Sequence, residues 1–177
     1  GFEEALGFTV GPVVRDKDGM AAAVWFADLA AECAGSGETV LDRLARLFVR
    51  DGLWVSHPLS VKRTVPAGLA EIAAAVEHLA AAPPGTVGGM TVVKVTDYSE
   101  GAADRPRWLP ATALVELNLA GGSRVLARPS GPEPKLKIYA DVWAQAASVE
   151  EVPAVRAAAT DTAGRLAGDL AARMGLA

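Results

Sequence analysis

Apolar positions change their spacing along this chain, and the changes divide it into elements. Residues 20–34 are apolar on almost every side, with Val24, Trp25, Phe26 and Leu29 at the centre, before Gly35. That run predicts a helix capped by Asp18 and buried between other elements. Val40, Leu41, Leu44, Leu47 and Phe48 recur at three- and four-residue spacing. They predict an amphipathic helix over residues 38–50, stopped by Gly52. Residues 53–65 read as a connection. Leu69, Ile72, Ala73, Val76 and Leu79 predict a third helix, starting at Pro66 and ended by Pro83-Pro84-Gly85. Strand-like segments follow at residues 90–96, 112–119, 124–128 and 136–142, with Gly121-Gly122 as a tight turn. Residues 97–110 read as a long polar loop. An alanine-rich helix over residues 149–174 closes the chain, with Val152, Val155, Ala159, Leu166 and Leu170 as its buried stripe.

Helix, four strands, helix is an α+β order. It predicts a four-stranded, mainly antiparallel sheet with helices packed on one face. A mainly helical segment precedes it, and the division is expected near Ser56, giving units 1–55 and 56–177.

Composition narrows the class. At 177 residues and 51% hydrophobic, the chain has enough apolar content for a packed core. A net charge of −4 leaves no broad basic face for nucleic acid. The longest apolar run, residues 20–31, is too short to span a bilayer, so no membrane partner is expected. The single cysteine, Cys33, reads as a buried thiol, which fits a cytoplasmic protein. The chain enters at Gly1 directly on a motif, which leads us to expect an excised fragment.

Chemistry concentrates between the last two strands, at Arg128-Pro129-Ser130-Gly131-Pro132-Glu133-Pro134-Lys135-Leu136-Lys137. Arg128 offers a planar fork of donors that matches two oxygens of a phosphate. Ser130 adds a hydroxyl, and Gly131 lets successive N–H groups turn toward one anion. Lys135 and Lys137 share a face of the following strand. The alternative is an ordinary hairpin with solvated charges. Near the start, Gly1-Phe2-Glu3-Glu4-Ala5-Leu6-Gly7 is a turn bracketed by glycines. Taken alone it is a solvated acidic turn. Lys17, before the first helix, could pair with Asp16 or Glu3. His57-Pro58 is read as structural, because no serine or cysteine motif stands near it to use the imidazole.

The stretch from Arg128 to Lys135 closely resembles the phosphate-binding loop Arg-Pro-Ser-Gly-Thr-Glu-Pro-Lys of bacterial phosphoglucomutases, in the α-D-phosphohexomutase superfamily. It departs from that loop only at Pro132, where the family has threonine. The opening turn resembles the family's sugar-binding loop, with Glu3 at the glutamate and Ala5 at the position of the serine. Lys17-Asp18-Gly19 resembles the motif whose lysine lies near the reacting phosphate. The resemblance implies that residues 1–55 end a third, sugar-binding domain and that residues 56–177 form the fourth, phosphate-binding one. It implies an isomerase that interconverts hexose 1-phosphate and hexose 6-phosphate, with Mg2+ and a hexose 1,6-bisphosphate as cofactors. The implied partners are a phosphorylated hexose and N-terminal domains of the same protein.

The residue assignments that follow are Glu3 and Ala5 for the sugar, Arg128, Ser130, Gly131, Pro132 and Lys137 for the phosphate, and Lys17 for catalysis. The family's phosphoserine pattern and its Asp-Gly-Asp magnesium loop do not occur in this chain. Asp16 and Asp18, flanked by lysine, make a poor hard-cation site. The chain alone is therefore expected to be inactive and to hold no metal. The alternatives are a non-catalytic phosphosugar-binding module and an inactive paralogue, which Ala5 and Pro132 favour.

Overall fold

The computed structural model describes residues 1–3, 6–64, 67–101, 106, 110–131 and 133–176. It opens with a two-stranded hairpin, β1 (Phe2–Glu3) and β2 (Gly7–Phe8), followed by α1 (Gly19–Gly35) and α2 (Val40–Asp51). Then come β3 (Leu53–Lys62), α3 (Ala67–Ala81), β4 (Thr86–Val87), β5 (Met90–Asp97), β6 (Val115–Leu119), β7 (Arg124–Pro129), β8 (Lys135–Ala144) and α4 (Val152–Arg173).

The helices start where their caps dictate. Asp18 Oδ1 accepts from the N–H groups of Met20 and Ala21, both at 3.0 Å. Thr39 and Asp42 form a reciprocal capping box, so the second helix begins at Val40 rather than at Glu38. Gly52, with φ of 78°, ends it and leads straight into β3.

The sheet has six strands, not the expected four, in the order β3-β8-β7-β6-β5-β4, with every neighbouring pair antiparallel. One added strand is the short β4. The other is β3, in the segment expected to be a connection. Its exposure alternates residue by residue, with Leu53, Val55, Leu59 and Val61 packed against the core. Pro58 interrupts the pattern in sequence but not in space. An edge strand tolerates a residue without an N–H, because half of its N–H groups face outward. Ten consecutive register pairs bind β3 to β8, from Leu53↔Ala144 to Lys62↔Lys135. Ser56, near which the division was expected, lies inside this ladder.

Both α3 and α4 pack on one face of the sheet, as expected. Ile72, Val76 and Leu79 of α3 meet Leu117, Val125, Ala127, Leu136, Ile138 and Ala140 in a single core. Leu69, expected on the apolar face of α3, is instead exposed. From α4, Ala159, Ala163, Ala167 and Ala171 form an i, i+4 ridge of small side chains, which lets the helix lie close to β8 and β3. The opposite face of the sheet carries no helix among the described residues.

Against expectation, α1 is not buried. Among its described residues only Cys33 is fully covered, while Met20, Val24, Trp25 and Phe26 are exposed. Its principal contacts are with α2 and β2, which lie along one side and leave the rest of its apolar circumference open.

Candidate functional site

Strand alternation sorts the last hairpin into two faces. Ala127, Leu136 and Ile138 point into the helix-covered core. Their neighbours Arg128, Lys135 and Lys137 therefore stand on the open face. Arg128 and Lys137 are register partners on β7 and β8. The loop between them is closed by backbone bonds: Ser130 N–H donates to Lys135 O at 2.7 Å, and Lys135 N–H to Glu133 O at 2.7 Å. The Ser130 amide is thus committed to the hairpin, and the group it presents is its hydroxyl. Gly131 is not in a left-handed conformation, and a Cβ added there would meet nothing within 4 Å. Its place in the loop is therefore not a steric requirement. Pro132 lies outside the described residues.

The charges of this hairpin are unbalanced. Lys135 Nζ pairs with Glu133 Oε2 at 2.6 Å. That hydrogen bond, followed by the charge of the same lysine, holds the Glu133 carboxyl below its ordinary range, with lesser pulls from Lys62 and Lys137. No carboxylate among the described residues lies within 4.0 Å of Arg128, Lys137 or Lys62, whereas other cations form nine ion pairs. Two cations that face each other across a ladder without a counter-ion repel. An anion with several oxygens would relieve that repulsion and accept the Arg128 fork.

A second group gathers at the opening hairpin. Lys17 Nζ donates to Glu3 Oε1 at 3.0 Å, across the backbone of Gly7. Two residues assigned from the sequence are thereby brought into contact, both still accessible. Ala5 lies outside the described residues. Among the described residues, no hydrogen bond or ion pair joins this group to the Arg128 hairpin. Nearby, Asp16 accepts from its neighbour's amide, Lys17 N–H, at 2.7 Å, and Asp18 is occupied as the helix cap. Among the described residues no three or more metal-ligating side chains gather in one group.

One polar network was not anticipated from the sequence. On the open face, Asp141 accepts from Ser56 Oγ at 2.6 Å and from Arg124 Nε at 2.9 Å. Glu116, which is buried, accepts from Tyr98 Oη at 2.9 Å and Asn118 Nδ2 at 3.1 Å. Trp54, Ser56, Asn118, Gly122, Arg124 and Asp141 line a shallow cavity of about 450 Å³ there. The available signal was alternation within β3, which places Trp54 and Ser56 opposite Leu53 and Val55. By the same alternation His57 faces the helices, away from the cations. A larger cleft of about 790 Å³ runs along α1, lined mainly by apolar groups such as Phe8, Trp25 and Phe26, and contains no cation.

A sheet with one covered face, and a pair of uncompensated cations across two strands of the other, defines an α+β domain with a cationic pair on its open face. No family model matches the chain. A protein of Haemophilus influenzae named "Probable phosphomannomutase" is 37% identical over 142 residues, 80% of this chain and 27% of that protein. A "Probable phosphoribomutase" of Schizosaccharomyces pombe is 29% identical over 161 residues, 85% of this chain and 27% of its own length. Among solved structures, the open form of pp63/parafusin, a phosphoglucomutase from Paramecium, shares the fold. It has a TM-score of 0.52 and 16% identity, over 87% of this chain and 28% of that one. Over about 80% of its length the chain is similar to proteins named as phosphomannomutase and phosphoglucomutase, as a piece of a phosphohexomutase would be. It spans about a quarter of the length of the curated relatives it matches.

Proposed function

We propose that this chain is the C-terminal, substrate-holding part of a phosphohexomutase that interconverts hexose 1-phosphate and hexose 6-phosphate. Its role is to hold the phosphate that is not being transferred. The observation that carries this reading is the pairing of Arg128 with Lys137, both without a carboxylate, at the base of the closed loop that presents Ser130. Arg128 would grip two phosphate oxygens, Lys137 would supply a second positive charge, and the Ser130 hydroxyl would donate to a third oxygen. Glu3 would accept from sugar hydroxyls, and Lys17, already beside it, would lie at the edge of the reacting group.

Phosphoryl transfer depends on positioning and on neutralising charge. These residues supply positioning and half of the neutralisation. The phosphoserine donor and the magnesium that completes the neutralisation belong to other parts of the longer protein on this reading. The chain alone is then a binding unit without turnover. A relative named as a phosphoribomutase keeps a pentose phosphate as the second candidate substrate.

The test is calorimetric titration of the chain with glucose 1-phosphate, mannose 1-phosphate and ribose 1-phosphate at fixed ionic strength, for the native sequence and for Arg128→Ala. Binding lost in the variant supports the reading. Equal binding by both proteins rejects it.

A further inference from the structure

The strand that the sequence disguised as a connection runs along the cation pair. Register places Ser60 of β3 opposite Lys137, whose other neighbour is Arg128 of β7. Ser60, Lys137 and Arg128 thus form one row across three strands, about 4.8 Å apart. One step along the ladder, Lys62 stands opposite Lys135. Alternation puts all of these side chains on the open face, since Leu59 and Val61 pack into the core.

We infer that β3 forms a third wall of the anion site, with Lys62 and Ser60 binding the same phosphate as Arg128 and Lys137. The inference rests on the phosphate-binding reading above. Among the described residues Lys62 has no carboxylate partner of its own. It stands opposite another lysine, an arrangement that costs stability unless something negative sits between them. Its charge already reaches the site, because it helps to hold the nearby Glu133 carboxyl below its ordinary range. The Glu133–Lys135 pair neutralises one of the four cations, leaving Lys62, Lys137 and Arg128 for the ligand. Three uncompensated charges suit a phosphate dianion better than a singly charged anion. Ser60 adds a neutral donor at the end of the row, where a fourth cation would only add repulsion.

The experiment measures the affinity of inorganic phosphate, as the dianion at pH 8, for the full chain by calorimetry at constant ionic strength. Lys62→Gln should weaken binding about fivefold, the effect of one lost charge at short range. Lys62→Arg, which keeps the charge, should retain most of the affinity. Lys94→Gln, on the distant β5, should change nothing and serves as the control for net charge. Thermal melts without phosphate should show Lys62→Gln no less stable than the native chain, since it removes a like-charge contact. If Arg128→Ala abolishes binding while Lys62→Gln leaves it intact, the inference falls and the phosphate site stands. Equal losses from Lys62→Gln and Lys94→Gln would also overturn it. If the native chain and Arg128→Ala bind phosphate equally, or neither binds it, the underlying reading fails and takes this one with it.

Discussion

Gly7 is held side-chain-free by Lys17. A Cβ at Gly7 would stand 2.6 Å from Glu3 Oε1 and closer still to the Lys17 chain that crosses above it. The glycine is therefore part of the Glu3–Lys17 contact, although it carries no functional group. Gly7→Ala should push Lys17 away from Glu3. Both side chains are accessible and can swing aside, so the loss in stability should stay below about 1 kcal/mol. Chemical denaturation checks the stability. The Lys17 ammonium signal in NMR checks the displacement and should lose its dependence on Glu3.

Arg128 and Lys135 should behave differently despite equal charge. Lys135 is already engaged with Glu133, whereas Arg128 has no carboxylate partner among the described residues. We expect Arg128→Ala to weaken sugar-phosphate binding by roughly tenfold or more, the effect of losing charged hydrogen bonds. Lys135→Ala should weaken it far less, because the charge of Lys135 is already taken up by Glu133. Amide-shift titration of both variants against one ligand measures the ratio, and equal losses would contradict the geometry.

Gly52 should tolerate no side chain. It ends α2 with φ of 78° and ψ of 166°, a conformation reserved almost entirely for glycine, and an added Cβ would lie 2.5 Å from Trp143 Nε1. Gly52→Ala should destabilise the fold by about 2–3 kcal/mol. The urea midpoint reads this directly, with Trp143 fluorescence as the probe.

Asp169 should make stability fall with acid. Its carboxylate accepts from Gly88 N–H and from Arg173 Nε, each at 2.7 Å. The bond from Gly88, then the one from Arg173, holds its pKa below the ordinary aspartate value. A folded-state pKa below the unfolded one gives stability that is complete above the unfolded value, about 3.9, and is lost as pH falls through the folded value. Asp169→Asn should therefore be less stable than the native chain at pH 7. The gap should close as pH falls below 4. Urea midpoints of both proteins across that range test the sign.

The helices were legible because their ends are written in local chemistry, as at Asp18 and Gly52, although the Thr39–Asp42 box that sets the start of α2 was missed. The hairpin of β7 and β8 was legible because its residues are close in sequence. What was hidden depends on neighbours distant in sequence. The alternation of β3 was obscured by His57-Pro58, and only pairing with β8 shows that an edge strand can carry them. The exposure of α1 could not be read from its composition, since apolar residues announce a need for burial and not what meets it. The Asp141–Arg124–Ser56 network joins three strands and left only single polar residues to read.

The pairing of β3 with β8 also governs the order of assembly. β3 is the first strand of the sheet to be synthesised, and β8, its only neighbour there, is the last. Until β8 arrives, β3 has neither a ladder partner nor α4 to cover its apolar side. Closing so long a loop is slow compared with forming the β6–β7 hairpin. A strand that must wait unpaired is a template for association with another chain. Pro58 and Lys62 are the kinds of residue that blunt such an edge. Lys62, on the open face of the finished sheet, is thus also placed to blunt the unpaired edge of the nascent chain before that sheet exists.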